Sequence, residues 1–159
     1  MAGQSESDEA YVLALCDDLL GLPGQRQHRF AFLRGDSRDG RRGRQLPVDA
    51  YYPELSLVIE YRERQHTEAV AFFDKPDRIT VSGVDRQRQR ELYDQRRRDV
   101  LPAHSIRLVE LSYADLAHSP RGKLRRDRAG DLQALQELLD PPGRQSEQAR
   151  PADPGMALG

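Results

Sequence analysis

The stretch 46–62 limits what this chain can fold into more than any other. Leu46-Pro47-Val48-Asp49-Ala50-Tyr51-Tyr52 and Leu57-Val58-Ile59-Glu60-Tyr61-Arg62 are two β-branched and aromatic runs, separated by Pro53-Glu54-Leu55-Ser56. They read as an antiparallel hairpin. A turn centred between Glu54 and Leu55 pairs 52 with 57, 51 with 58, 50 with 59 and 49 with 60. Asp49 then faces Glu60 with Cβ atoms roughly 5 Å apart, and like charges so opposed are destabilising. A divalent cation between two hard carboxylates removes that penalty. Arg62 follows Glu60 by two residues, which on a strand places it on the same face.

Flanking elements can be read from periodicity. A helix is predicted over 7–20, with Ser7 as N-cap, Asp8 and Glu9 in its first turn, and Gly21 and Pro23 ending it. Val12, Leu13, Cys16, Leu19 and Leu20 form one apolar stripe, so Cys16 reads as a small core residue. A first strand over 27–33 alternates His28, Phe30 and Phe32 against Arg29, Ala31 and Leu33. The run Ala69-Val70-Ala71-Phe72-Phe73 fits either a strand extension or a short turn. A long Arg-rich helix is expected over 83–100, capped by Ser82 and ending before Pro102. A last strand is expected over 105–111, with Ile106 and Leu108 buried, and an outer helix over 131–139. The order α-β-β-β-α-β implies an α/β fold with a hairpin in a helix-flanked sheet. One domain over 5–140 is followed by 141–159, rich in Pro, Gly, Gln, Ser and charge, which reads as a disordered tail.

Composition excludes several classes. The chain has 159 residues, 32% charged and 37% hydrophobic, enough for one core. No apolar run reaches transmembrane length, and the first residues lack the basic and apolar regions of a signal peptide. The single cysteine rules out an internal disulfide or a thiolate cluster, and a cytoplasmic setting is the default expectation. Net charge is −1, yet basic residues concentrate in 26–44, 86–98 and 121–128. Each of these reads equally as a nucleic-acid footprint or as solvated surface.

The hairpin, with its Asp49-Ala50-Tyr51-Tyr52-Pro53-Glu54-Leu55 arm and the run Val58-Ile59-Glu60-Tyr61-Arg62-Glu63-Arg64-Gln65-His66, resembles the PD-(D/E)XK nucleases. Within that restriction-endonuclease-like superfamily it is most similar to the small bacterial subset related to very-short-patch-repair endonucleases. The similarity runs, with gaps, over 5–116. Two departures stand: Val48 separates Pro47 from Asp49, and Arg62 occupies the usual Lys position. The resemblance implies a three-layer fold with an αβββαβ core and a mixed central sheet. It also implies a metal-dependent endonuclease-type phosphodiesterase acting on nucleic acid, with DNA expected.

In that reading Asp49 and Glu60 hold Mg²⁺ or Mn²⁺, which lowers the pKa of an attacking water. Glu9 joins the metal site by resemblance, and on its residues alone reads as a charge favouring the helix N-terminus. Arg62, Gln65 and His66 complete the catalytic set; Arg62 stays protonated and acts electrostatically. Gln65 by resemblance takes over from the missing Lys, and His66 is a general-base or supporting group whose bland reading is a polar strand end. His28, His104 and His118 show no metal-ligand spacing, and Tyr51 and Tyr61 read as packing. A second reading is an inactive nuclease-fold module that binds nucleic acid or a protein partner, with Arg62 neutralising both acids. A third is a toxin or defence component. A homodimer is left open.

Overall fold

In the computed structural model, the described residues are 6–37, 41–64 and 85–140. They form a mixed α/β structure with a four-stranded sheet and three α-helices. In chain order these are α1 (Asp8–Leu20), β1 (Gln25–Arg34), β2 (Gln45–Tyr52), β3 (Leu57–Arg62), α2 (Arg86–Ala103), β4 (Arg107–Ser112) and α3 (Arg128–Leu139). The strands lie in sequence order. β1–β2 and β2–β3 are antiparallel, and β3–β4 are parallel with α2 as the crossover.

Two apolar clusters sandwich the sheet. One joins α1 and α3 to Leu57, Ile59, Tyr61 and Leu111; the other joins Phe30, Leu33, Val58, Leu101 and Ile106 on the α2 side. No described helix is long and apolar enough to cross a membrane.

The hairpin register is as read from sequence: Tyr52 pairs with Leu57, Tyr51 with Val58, and Ala50 with Ile59. A short 3-10 turn, Pro53–Leu55, links the strands, and Ser56 (φ 47°) completes the reversal. α1 is capped by Ser7, whose side chain accepts from Ala10 N, and Gly21 (φ 67°) ends it in the left-handed region.

Several expectations need correcting. α2 begins at Arg86 with Asp85 as N-cap and includes Pro102 in its last turn. The Ser82 cap lies outside the described residues, as do the run 69–73 and the tail 141–159. Asp85 wins the cap because its carboxylate accepts from Arg88 N at 2.8 Å. Pro102 is tolerated because it forfeits one N–H at a fraying end, and the following groups bond back to Val100, Leu101 and Pro102 carbonyls. β1 does not alternate: Phe30 and Leu33 are buried whereas Phe32 is 38% exposed, because the β1–β2 register shifts between Arg29 and Arg34. β4 starts at Arg107, after Ile106. α3 is longer than predicted and packs one face against the α1 cluster, with Leu135 fully buried there while Leu138 is exposed.

Two buried polar joints, unseen in the sequence, lock α1 to its neighbours. Tyr11 Oη donates to Asp131 at 2.6 Å, and Asp131 is almost wholly buried in the first turn of α3. Asp17 accepts from Tyr52 Oη at 2.6 Å, from Gly24 N at 3.0 Å and from Arg26 at 2.8 Å. Burial works against the Asp17 charge, but the bonds from Arg26, Tyr52 and Gly24 prevail and hold its carboxyl below its ordinary value.

A Cβ at Gly24 would lie 2.6 Å from Tyr52 Cζ. Tyr52 is fully buried and tied to Asp17, so it has no room to yield. Gly24→Ala is therefore expected to lower urea stability by about 1–3 kcal/mol. Gly21→Ala, with open space around it, should lose only the left-handed preference, of order 1 kcal/mol.

Candidate active site

Asp49 sits where the sheet opens. The β2–β3 pairing covers three residue pairs and ends at Ala50–Ile59. Beyond it, Tyr61 N donates to Asp49 Oδ2 at 2.8 Å, so a side-chain carboxylate replaces a strand carbonyl. The packing of β2 changes at the same residue. Leu46 and Val48 belong to the α2-side cluster, whereas Ala50 and Tyr52 belong to the α1-side cluster. Strict alternation would put all four on one face. The partner strand shows the matching irregularity: Gln27, between the paired residues Arg26 and His28, has φ +50°. That is an uncommon conformation for a residue with a side chain. Gln27 Nε2 reaches Asp49 Oδ1 at 3.4 Å. The break in alternation turns Asp49 into the gap between strands rather than onto a face.

Two further carboxyls meet it there. Glu60, 9% exposed on β3, is in hydrogen-bonding contact with Asp49, and so is Glu9 from the first turn of α1. Burial, then the bond to Asp49, then its charge push the Glu60 carboxyl up to about 9, against Arg97 and Arg62. The same three influences, with Glu63 adding to them, push Glu9 up to about 7 against Arg26. Glu60 Oε1 is buried without a hydrogen-bond partner. The acids form a chain with Asp49 in the middle. Among the described residues, no group of three His, Cys, Asp or Glu side chains converges closely enough to hold an ion as it stands. Mg²⁺, however, is held by one or two carboxylates completed by water and phosphate oxygens. Asp49 and the orphaned Glu60 oxygen fit that requirement, with Glu9 alongside.

The cations are arranged differently from the strand reading. Arg62 donates to Asp94 at 2.6 Å and to Glu110 at 2.5 Å, while its Nε is buried without a partner. Burial would raise the Glu110 carboxyl, but hydrogen bonds from Arg98 and Arg62 hold it below its ordinary value. Arg62 thus acts on Glu60 only through space. The guanidinium nearest Glu60 is that of Arg97, with Nε 3.3 Å from Oε1. This is an ion pair by distance but not aligned as a hydrogen bond, which is why Oε1 remains an orphan. Arg97 also donates to Pro47 O at 3.0 Å and to Asp94 at 3.2 Å. It therefore bridges β2 just before Asp49 to Glu60 on β3.

Sequence reasoning missed Arg97, although a signal was present. On α2, Tyr93, Arg96, Arg97, Val100 and Leu101 share one helical stripe, so of the three consecutive arginines Arg96 and Arg97 fall on the inward side, with Arg97 the more deeply buried. Gln65 and His66 lie outside the described residues. His28 meets Phe30 edge-on and Tyr51 at a tilt, His104 stacks on Phe32 with ring centroids 3.7 Å apart, and His118 Nδ1 lies 2.8 Å from Leu116 O.

The raised carboxyls set a pH dependence. Glu9 and Glu60 bind protons more tightly folded than unfolded. The stability they contribute is complete below about pH 4.5 and declines as pH rises through about 7 and then about 9. Metal-free protein is expected to melt at progressively lower temperature from pH 5 to pH 9. With Mn²⁺ or Mg²⁺ that decline should flatten, because the ion displaces the protons and stabilises the folded state by mass action. Asp49→Asn should remove the metal effect. Calorimetric scans across that range, with and without metal, test it.

Searches of protein families, of curated proteins and of solved structures returned no match.

Proposed function

We propose that this chain is a metal-dependent nuclease of the restriction-endonuclease-like kind, hydrolysing phosphodiester bonds in nucleic acid, with DNA as the favoured substrate. The observation that carries the reading is the contact of Asp49 with Glu60 in the opening between β2 and β3, with one buried Glu60 oxygen unsatisfied. Buried acids in contact destabilise each other unless protonated or bridged, and such sites concentrate where chemistry occurs. The helix-flanked mixed sheet, in the order α1-β1-β2-β3-α2-β4, supports the same fold assignment.

Asp49 and Glu60 would hold Mg²⁺ or Mn²⁺, with Glu9 as a third carboxylate. When bound, the ion polarises the scissile phosphate and supplies hydroxide near neutral pH. The protein's own residues do the rest. Tyr61 N and Gln27 Nε2 fix the Asp49 carboxylate. Arg97 holds β2 and Glu60 at a set separation and offers a fixed positive charge beside them. Arg62, committed to Asp94 and Glu110, positions α2 against the sheet. Gln65 and His66, which follow Arg64 in the chain, are proposed as the remaining polar groups for water or phosphate.

A specific observation also favours the second reading, a nuclease-fold module without activity that binds nucleic acid or a protein partner. Arg62, at the Lys position, is held by two acids through its terminal nitrogens, and Arg97 already offsets the charge of Glu60. Plasmid and single-stranded DNA cleavage with Mg²⁺ or Mn²⁺, and its loss with a chelator, separates the two. In the enzyme reading Asp49→Asn and Glu60→Gln remain folded and lose at least about a hundredfold in rate, the scale of one removed transition-state contact. A wild type that binds DNA without cleaving it under any of these metals would establish the module.

Arg62 and Arg97 are expected to separate on mutation. Arg62→Ala leaves Asp94 with Arg97 and Glu110 with Arg98 as remaining partners and should cost about 1 kcal/mol in urea stability, given their partial exposure. Arg97→Ala should reduce cleavage more than Arg62→Ala at equal folded fraction. Rates and urea midpoints measured on the same preparations test this, and equal rates for the two variants would remove Arg97 from the mechanism.

A further inference from the structure

The geometry points to a nucleic-acid-holding arm formed by the turn Ser119-Pro120-Arg121-Gly122-Lys123 together with Arg64, beside the carboxylate site. The inference rests on the nuclease-fold reading for its ligand, but not on catalysis. Of the three basic segments, the two nearer the N-terminus are largely engaged within the protein. Arg26 pairs with Asp17, Arg34 bonds to Ala31 and Gly43 carbonyls, Arg88 pairs with Glu91, and Arg96 pairs with Asp36. In the third segment Arg125, Arg126 and Arg128 are similarly engaged, by His118 O, Asp8 and Asp18. Arg42, Arg44 and Arg86 are also exposed without a bond to a described group, but Arg121 and Lys123 are the pair that stands on a turn fastened to α1. Both are exposed, and neither side chain bonds to any group among the described residues.

The backbone beneath these two cations is unusually well fixed for a surface turn. Ser119 N donates to Lys123 O at 2.7 Å, Gly122 N to Ser119 O at 2.9 Å, and His118 bridges Leu124. Ser119 Oγ accepts from Arg121 N and Lys123 N, both at 3.3 Å. The turn is also fastened to the two elements that carry the acids. Leu124 N donates to Asp8 Oδ2 at 3.0 Å, one residue before Glu9, and Arg126 bonds to Asp8 Oδ1 at 3.2 Å. Arg64, just beyond β3, lies along Gly122 and donates to Pro120 O. A Cβ at Gly122, which is buried with φ +84°, would fall 2.6 Å from the Arg64 stem.

Arg64, Arg121, Lys123 and Arg126 line a groove of about 330 Å³ between these elements. Glu6, Asp8 and Glu63 line it too. Arg126 offsets Asp8, and Glu63 is an acid whose charge is felt by Glu9, so one wall of the groove lies within electrostatic reach of the carboxylate chain. Two free cations on a rigid support at the border of a phosphodiester-binding site suit the backbone of a nucleic-acid strand, where charge neutralisation dominates affinity.

The test is equilibrium binding of the full chain to a fluorescent DNA duplex and to a single strand, in chelator so that nothing is cut, over a range of salt. Arg121→Gln/Lys123→Gln should melt like wild type, because neither side chain makes a contact. It should bind at least tenfold more weakly at low salt, and the log–log salt slope should fall by about 1.8, two phosphate contacts at about 0.9 each. Arg86→Gln/Arg88→Gln, on the exposed start of α2, serves as the charge-matched control and should bind nearly as wild type does. An unchanged affinity and slope in the Arg121/Lys123 variant would overturn the arm, even if wild type cleaves DNA. An equal loss in the control would overturn it as well, by showing bulk charge alone. Failure of wild type to bind DNA would overturn the arm while leaving the metal-dependent melting shift at Asp49 to decide the catalytic reading separately.

Discussion

The hydrogen bond from Tyr61 N to Asp49 is the contact on which the rest of the site depends. In an unbroken ladder that N–H would bond to a strand carbonyl, and Asp49 would stand on a face of the sheet. Because the carboxylate takes the N–H, β2 and β3 separate there, and the opening admits Glu60 from one side and Glu9 from α1. A charge-assisted bond to a backbone N–H is stronger than a neutral one, so the carboxylate is well suited to substitute for a carbonyl in a partly buried place. The structural and chemical duties of Asp49 cannot be separated by truncation. Asp49→Ala would leave the Tyr61 N–H unpaired, whereas Asp49→Asn keeps an acceptor and removes the charge.

The cost of gathering three acids is met by a layered counter-charge. Arg97 approaches Glu60 directly, Asp94 holds Arg97, Arg62 holds Asp94, and Glu110 is shared by Arg62 and Arg98. Each ion is partly shielded from water, so each is costly alone and tolerable in the chain. Arginine suits the central positions because its planar group contacts two acids at once and keeps its charge when desolvated. The network also ties α2 to β3 and β4 where apolar contact is sparse; α2 buries only Leu101 completely. Arg62 thereby serves as a strut between the sheet and the helix layer.

Much of this was legible in the sequence, for identifiable reasons. The hairpin register followed from a two-residue period and a turn with a Pro at its start, both local signals. The α1 boundaries followed from Ser7 and Gly21, which act within one helical turn. The features that could not be read all depend on contacts distant in sequence. The opening at Asp49 requires a distortion in β1, at Gln27, and a carboxylate accepting across strands. Asp131 looks like an ordinary first-turn acid until Tyr11, 120 positions away, arrives to bury it. Arg62 was placed correctly on its strand, but its partners come from α2 and β4. Arg97 was the recoverable omission, since its stripe could be counted.

Natural sequences break their own local rules chiefly where something other than stability is being served. Here four breaks coincide: a left-handed Gln27, a lapse of alternation at Asp49, a buried carboxyl in contact with a half-buried one, and an orphaned Glu60 oxygen. Any one of them alone has a bland explanation, and together they are mutually dependent. With its carboxyl pushed up to about 9, Glu60 already carries a proton toward Asp49 near neutral pH, and replacing it by Gln would keep a donor there while removing the titration. The same change would deprive a hard cation of its second anionic oxygen. The metal-free fold therefore has little reason to distinguish Glu from Gln at this position, and the proposed ion would. On the metal-dependent reading proposed above, Glu60 is the choice that suits the ion.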